Sequence, residues 1–509
     1  MKILLIRPPY NFQGTPRIDL PIGLLYIAAV LEKSGYEIEY LDGVITLARS
    51  YSERGDNTNH TEYSWSYLKD RIRKINPSIV IISCLYTVQF TNAIKLSRII
   101  KEINPGIINV VGGPHVSVTY KTLLNENPCF DILGRNEGEF LVKDVVEALK
   151  KNHTLSTVNG IVFRENGKII ITDSRKPISV LDNLPLPAYH LVDLDEYFSL
   201  NKKLATRTIY SYKGSERGIT LITSRGCPFF CTFCSVFLHM GRQWRYHSAE
   251  YVLRHMEFLI NKYDVNYFHF EDDNLTADPR RFDRILDGII QRKWELRWDT
   301  PNGVRVDTLN FELLKKSRQS GCAFMIIGIE SGSQRVLNEV IKKKLDLECV
   351  KNIAKLAQKA RVLVRAFYMI GVPGETREEI RETVDFASYI HNKYNVLGGI
   401  GMAVPLLGTE VYKICKEKGY LTKDLNVENI AQGFLKEGLI KTDEFDPEFL
   451  AEMIILHGKR NKRLKLKKLV IHLLLEPRLI IYLLRRLVEK PDAWRHYISE
   501  IVYWHYLIE

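Results

Sequence analysis

The chain has 509 residues, enough for about three domains at roughly 150 residues each, and its 45% hydrophobic and 26% charged content exclude global disorder. Eight cysteines are too few for a disulfide scaffold, and three of them sit together, which suggests a metal site in a reducing compartment. The net charge of +12 is concentrated: residues 459–490 hold 11 Lys or Arg against two Glu, leaving 61 basic and 58 acidic side chains elsewhere. A near-neutral body with a basic tail is not a uniformly basic nucleic-acid binder. The apolar stretch Ile3 to Ile6 behind Met1-Lys2 is too short for a signal-peptide core, and no run of about 18 uncharged apolar residues predicts a membrane span. A cytoplasmic location is expected.

Residues 1–150 alternate strand and helix patterns. Lys2 to Arg7 predicts a buried strand ended by Pro8-Pro9, and Gly23 to Lys33 a helix with Leu24, Ile27, Ala28 and Leu31 on one face. Tyr36 to Leu41 predicts a second strand, stopped by the turn signal Asp42-Gly43. Ser78 to Ser83 is a third, apolar through its middle as a two-sided parallel strand should be. A helix around Ala93 to Glu102 leads to the strand Ile107 to Val111 and the turn Gly112-Gly113-Pro114-His115. A strand at Asp131 to Leu133 and a helix over Phe140 to Leu149 close the series. Repeated βα units predict an α/β fold with a doubly wound parallel sheet, whose ligands sit outside the carboxyl ends of the strands.

Residues 151–205 read as a connector with a small hairpin, Gly160 to Ile171, and the turn-rich Leu184-Pro-Leu-Pro187. A second βα series then predicts strands at Gly218 to Thr223, Tyr267 to Phe270, Leu296 to Trp298, Met325 to Ile329, Val364 to Ile370 and Gly398 to Ala403. It fits a partial or full β/α barrel over residues 206–415, with chemistry at the strand C-terminal ends. Residues 416–509 read as helical, then basic and amphipathic.

The sharpest motif is Cys227-Pro-Phe-Phe-Cys231-Thr-Phe-Cys234, just after the first strand of the second series. Three thiolates at this spacing wrap three corners of a cubane iron–sulfur cluster and leave the fourth iron open to a cofactor. A structural zinc site wants a fourth ligand at standard spacing, and the nearest candidate is His239. The other five cysteines are scattered and receive no role, and no phosphate-binding Gly-x-x-x-x-Gly-Lys-Ser/Thr loop is present.

The Cys-x3-Cys-x-Phe-Cys pattern resembles the signature of the radical S-adenosylmethionine (SAM) superfamily. Further segments match it in order: Phe270-Glu-Asp-Asp-Asn274, Ile327-Gly-Ile-Glu-Ser-Gly-Ser333, Ile370-Gly-Val-Pro-Gly-Glu-Thr376, and Pro405 with Gly408-Thr409. The third of these reads equally as a plain helix start with Thr376 as N-cap. The resemblance implies a [4Fe–4S] cluster held by Cys227, Cys231 and Cys234, and SAM contacts from Phe233, Glu271, Asp272 and Glu330. It also implies reductive cleavage of SAM to methionine and a 5′-deoxyadenosyl radical.

The N-terminal half resembles the cobalamin-binding module that precedes the barrel in cobalamin-dependent radical SAM enzymes. The likeness rests on Leu20-Pro-Ile-Gly-Leu-Leu-Tyr-Ile-Ala-Ala-Val-Leu-Glu32, Gly112-Gly113-Pro114-His115 and Glu137-Gly-Glu139. It implies cobalamin contacts from Pro21, Gly23, Ser83, Gly112, Gly113, Glu137 and Gly138. Two glycines after a strand let the backbone lie against a flat ligand. One departure stands out: the loop after the first strand is Pro8-Pro9-Tyr10-Asn11, with no histidine to ligate cobalt from below.

The resemblance implies methyl transfer to an unactivated carbon or phosphinate: the deoxyadenosyl radical takes a hydrogen from substrate, methylcobalamin delivers the methyl group, and a second SAM remethylates the cobalamin. Cofactors carry that chemistry, so no side chain is singled out as catalytic. Two alternatives stand beside it, an oxidative cyclase of the anaerobic magnesium-protoporphyrin monomethyl ester type and a non-catalytic cobalamin-binding sensor. The expected partners are a small-molecule or lipid substrate and a reductant such as flavodoxin or ferredoxin, with no nucleic acid.

The tail divides evenly between two readings, with RNA binding through the same basic strip a distant third. Lys459 to Lys468, Leu469 to Leu475, Leu479 to Leu484, Arg485-Arg486 and the aromatics Trp494, Tyr497, Tyr503, Trp504 and Tyr506 suit peripheral contact with an anionic membrane. The other reading is a helical cap packed on the barrel.

Overall fold

Ile3–Arg7 (β1) is buried along its whole length, as an interior strand of a parallel sheet must be. This computed structural model describes the chain except residues 13–14, 17, 55–58, 205–216, 427–428, 431–432, 434–436, 476–479, 482–483 and 485–509; for 11–12, 15–16, 468, 472 and 475 it describes the backbone alone. The chain divides into two units, 1–228 with 234–273 and 425–432, and 229–233 with 274–424 and 433–509.

In the first unit β1 is followed by a short hairpin β2–β3 (Asn11–Phe12, Thr15–Pro16), α1 (Ile22–Lys33), β4 (Ile38–Asp42), α2 (Gly43–Glu53) and α3 (His60–Ile75). Then come β5 (Ile79–Ser83), α4 (Phe90–Ile103), β6 (Ile108–Gly112), α5 (Pro114–Glu126), β7 (Ile132–Gly134) and α6 (Glu139–Lys150). The sheet order is β4-β1-β5-β6-β7, all parallel. The hairpin expected in the connector, β8 (Ile161–Glu165) and β9 (Lys168–Ile171), extends this sheet antiparallel beyond β7.

Strand side chains alternate between two cores. Leu4, Ile6, Val80, Ile82 and Val111 pack with Trp65, Leu68, Phe90 and Leu96, from α3 and α4. Ile3, Leu5, Ile79, Ile81 and Val110 pack with Leu24, Ala28, Leu31, Val142 and Val145, from α1 and α6. The interior strands β1, β5 and β6 are therefore sealed on both faces, and only their ends reach a ligand. Asp42-Gly43, a turn signal in the sequence, is a strand-to-helix junction. Asp42 Oδ1 accepts from Val44 N at 2.8 Å and caps α2, while its other oxygen holds the buried Arg7 guanidinium at 2.7 Å.

The same unit holds α7 (Leu194–Leu204), β10 (Gly218–Leu221), the hairpin β11–β12 (Ser224–Arg225, Arg245–Tyr246), α8 (Ala249–Tyr263) and β13 (Tyr267–Phe270), with β10 and β13 parallel. The second unit continues the βα alternation: α9 (Pro279–Gln291), β14 (Arg297–Val304), α10 (Phe311–Gln319), β15 (Cys322–Glu330), α11 (Leu347–Lys359), β16 (Val364–Ile370), α12 (Arg377–Tyr394) and β17 (Leu397–Met402). β14 to β17 pair in parallel in chain order, and among the described residues β17 pairs with β16 alone, the arrangement of an open series. β14 and β15 run longer than their apolar centres predict, because the polar Asp299 and Thr300 are buried within the pairing and Thr300 Oγ1 accepts from Ile326 N at 3.1 Å.

After α13 (Glu410–Glu417), α14 (Pro447–Leu475) begins as a cap: Phe449, Leu450 and Met453 join Ile370, Val372, Ile380 and Val384 in one core. Asn461 Oδ1 then bonds His391 Nδ1 at 2.9 Å, and both Asn461 Nδ2, at 3.3 Å, and His457 Nε2, at 3.0 Å, donate to Gly398 O. Among the described residues no helix is long and apolar enough to cross a membrane. The tail residues Leu479, Arg485-Arg486, Trp494, Tyr497, Tyr503, Trp504 and Tyr506 lie outside the described residues.

Candidate active site

The cysteine loop is irregular from Gly226 to Ser235, and Cys227, Cys231 and Cys234 are all half-buried. None of the eight cysteines is in a disulfide. A loop without its own ladder needs outside anchors, and this one has them at its root. Asp272 Oδ1 accepts from Thr223 N at 3.1 Å, Thr223 Oγ1 at 2.8 Å and Ser224 Oγ at 2.6 Å, and Asp273 Oδ2 accepts from Gly226 N at 2.9 Å. Burial pushes the Asp273 carboxyl up. Gly226 has φ +78° and a Cβ there would lie 2.6 Å from Gln243 O, so only glycine fits.

Arg225 completes the anchor. It donates to Glu137 at 2.8 Å and to Glu139 at 2.6 Å, and Arg245 donates to both oxygens of Glu137 at 2.8 Å. All four side chains are at most 8% exposed. Burial pulls the Arg225 pKa down, but Glu139 and Glu137 outweigh it and raise it; burial likewise opposes the Glu137 charge, yet Arg225 and Arg245 hold that carboxyl below its usual range. The Glu137-Gly-Glu139 motif thus grips the residue two before Cys227. Sequence reasoning marked the motif but missed Arg225 and Arg245, because pairings across 86 to 108 residues leave no local signal.

In the second unit, Thr232 holds the middle of the loop: its N and Oγ1 donate to Ile341 O and Val340 O, both at 3.0 Å, and its O accepts from Val411 N at 3.2 Å. Phe233 packs against the core built from Val336, Ile341 and Ile370. The Arg305 guanidinium lies 3.7 Å over the Phe229 ring. Glu330 ends β15 with φ +74°, a conformation that costs a non-glycine residue of order 1–3 kcal/mol and marks candidate functional positions. Its Oε1 accepts from Lys343 Nζ at 2.9 Å, and a Cβ on Gly328 would fall 2.6 Å from that oxygen. Lys343 carried no sequence signal.

Glu375, inside Gly371 to Thr376, is fully buried; Oε2 accepts from Gly371 N at 2.7 Å and Val372 N at 2.6 Å, and burial pushes the carboxyl up to about 8. Thr376 and Glu379 form a capping box for α12, so the segment is also the helix start the sequence allowed.

At the carboxyl ends of the first sheet, Ser83, Gly112 and Gly134 are register partners on β5, β6 and β7: a row almost free of side chains. Gly113 follows at φ +122°, where a Cβ would meet Cys84 O at 2.2 Å, so this glycine is required by the neighbouring strand end. Pro21 caps α1, and Gly23 is exposed on its first turn, where a Cβ would meet nothing within 4 Å. Gly138 lets Ile27 approach, its Cβ position being 2.8 Å from Ile27 Cδ1. His115 is buried against Phe90 and Thr87, and burial pushes its imidazole down to about 4, so it is neutral at physiological pH.

Two family matches divide along these lines: the radical SAM superfamily over residues 221–387 and the B12 binding domain over 20–146. An uncharacterized methyltransferase of Pyrococcus horikoshii is 31% identical over 417 residues, 81% of this chain and 83% of the relative. The chain belongs to the radical SAM superfamily. A cytidylyl-2-hydroxyethylphosphonate methyltransferase of Streptomyces wedmorensis is 29% identical to this radical SAM protein over 487 residues, 89% of this chain and 88% of the relative. The solved radical SAM methyltransferase TsrM from Kitasatospora setae, with cobalamin and a [4Fe-4S] cluster bound, shares the fold at TM-score 0.65 and 17% identity, over 83% of this chain and 79% of that one.

The residues present fit the implied groups. Three thiols spread along an anchored loop suit a multi-iron cluster, whose ligands bind separate corners. The Ser83–Gly112–Gly134 row offers bare backbone to a broad flat cofactor. The protein is a radical SAM enzyme with a B12-binding domain, for which the cofactors are a [4Fe–4S] cluster, SAM and cobalamin.

Proposed function

We propose that this radical SAM enzyme is a cobalamin-dependent methyltransferase acting on an unactivated carbon or a phosphinate of a small-molecule or lipid substrate. The observation that carries the reading is that a relative named a phosphonate methyltransferase aligns with 89% of the chain, through both the B12-binding and the radical SAM regions. When bound, the cluster and SAM supply radical chemistry and cobalamin supplies the methyl carrier. Cys227, Cys231 and Cys234 hold the cluster. Glu271 and Glu330, at strand ends, face SAM, and Phe233 shapes that site from the core behind the loop. Asp272 and Glu137 serve as positioning residues, since their oxygens hold the loop root and the Arg225–Arg245 pair. Pro21, Gly23, Ser83, Gly112, Gly113 and Gly138 border cobalamin with backbone and small side chains. A flavodoxin or ferredoxin supplies the electron.

The test is anaerobic purification with reconstituted cluster and added cobalamin, then mass spectrometry of the products formed from SAM and a strong reductant. Deoxyadenosine with S-adenosylhomocysteine is expected. Deoxyadenosine alone would replace methyl transfer by the cyclase-like reading. Neither product from a cluster-loaded protein would overturn the enzyme and return the sensor.

A further inference from the structure

The long helix α14 changes character along its length. Its first three turns bury Phe449, Leu450, Met453 and His457 in the second unit. On the opposite side lie Ile455, Lys459, Lys462 and Leu466, all exposed. From Leu466 the exposed ridge is apolar: Leu466, Val470 and Leu474, spaced by four, are 59%, 48% and 75% exposed, and beyond them Ile481 is 72% exposed. Single exposed apolar residues are ordinary; a ridge of them on one helix, next to concentrated charge, is not.

The charge is all of one sign. Residues 453–475 contain seven Lys or Arg, all between 459 and 468, and no Asp or Glu. Lys459, Lys462, Arg463 and Lys467 are exposed, and Arg460 pairs with Asp385 at the helix flank. Beside them a shallow groove of about 450 Å³ runs between α14 and α12, lined by Asp385, Tyr389, Asn392, Arg460, Arg463 and Leu464 among others.

We propose that α14 docks the enzyme on the surface of an anionic phospholipid bilayer. The basic turn 459–468 meets the headgroups, and Leu466, Val470 and Leu474 enter the boundary with the acyl chains. Charge complementarity selects the occupant: a cationic belt followed on the same helix by an apolar ridge is the pattern of an interfacial helix, lying in the membrane plane rather than crossing it. The first turns of α14 pack as the helical cap, and the proposal assigns the membrane reading to its later turns. This inference is independent of the methyl transfer reaction.

Co-sedimentation of the full-length protein with sucrose-loaded vesicles tests it. Binding is expected to vesicles containing phosphatidylglycerol and not to phosphatidylcholine alone, and to weaken as salt is raised. Replacing Lys459, Lys462 and Arg463 by Glu should lower partitioning by at least about fivefold per charge. Leu466→Ser with Val470→Ser and Leu474→Ser should lower it by about tenfold per side chain removed from the boundary. Both variants should keep the wild-type far-UV spectrum and melting temperature, since these side chains are exposed. Protein left in the supernatant with every vesicle, or equal binding to neutral vesicles, overturns the proposal. So does self-association that the serine variant abolishes without vesicle binding, or binding to RNA in preference to vesicles.

Discussion

The two parallel strand systems present opposite kinds of edge. At the carboxyl ends of the first sheet the surface is built by omission: Ser83, Gly112 and Gly134 leave backbone bare across three strands. Where the second series begins and ends its strands, the edges are built by charge: Asp272 and Asp273 below the cysteine loop, Arg225 between Glu137 and Glu139, and Glu330 against Lys343. A flat ligand is accommodated by removing atoms that would collide with it. A loop carrying three thiols is held by adding bonds that it cannot make to itself. Loss of function should accordingly arise from added atoms at the first edge and from removed partners at the second.

The largest effect is expected from Cys231→Ala. It should abolish the cluster's visible absorbance and SAM cleavage while leaving cobalamin binding intact, read by anaerobic spectroscopy and product analysis; unchanged cleavage would break the cluster assignment. Arg225→Leu comes next. It leaves Glu139 and part of Glu137 as buried carboxylates without their cation, and breaking a buried pair costs about 3–5 kcal/mol. Chemical denaturation should show that loss, with cluster incorporation impaired relative to Arg225→Lys.

At the bare edge, Gly113→Ala adds a methyl 2.2 Å from Cys84 O at φ +122° and should cost about 2–3 kcal/mol or more. Gly23→Ala is the sharpening partner. With open space around it on α1, it should leave stability unchanged or improve it by about 0.5–1 kcal/mol, while weakening cobalamin in an absorbance titration. If Gly23→Ala binds cobalamin as the wild type does, α1 does not border the cofactor.

Glu375 gives a pH signature. Its native pKa near 8 stands above the usual 4.5, so the folded chain keeps a proton that the unfolded chain releases. Its contribution to stability is full below about pH 4.5 and is lost as pH rises through about 8. Glu375→Gln, which keeps the acceptor for Gly371 N and Val372 N, should flatten the fall of melting temperature across that window. The smallest change is Thr376→Ala, which removes one half of the α12 capping box and should cost about 1 kcal/mol.

By itself the sequence determined the strands of both series and their order, though not the helices α2, α3, α5 and α7. Tyr267–Phe270 and Val364–Ile370 run as the apolar runs predict, and Thr376 caps the helix it was expected to start. These are local properties: hydrophobic period and capping both act within a few residues. Only the tertiary structure decided the partners. It tied Glu137 and Asp272 to the loop root, paired Glu330 with the unmarked Lys343, carried the hairpin 161–171 into the first sheet and divided α14 into a buried and an exposed half. Each depends on which distant segment the packed strands bring alongside, and a buried charge records its need for a partner without recording where in the chain that partner lies.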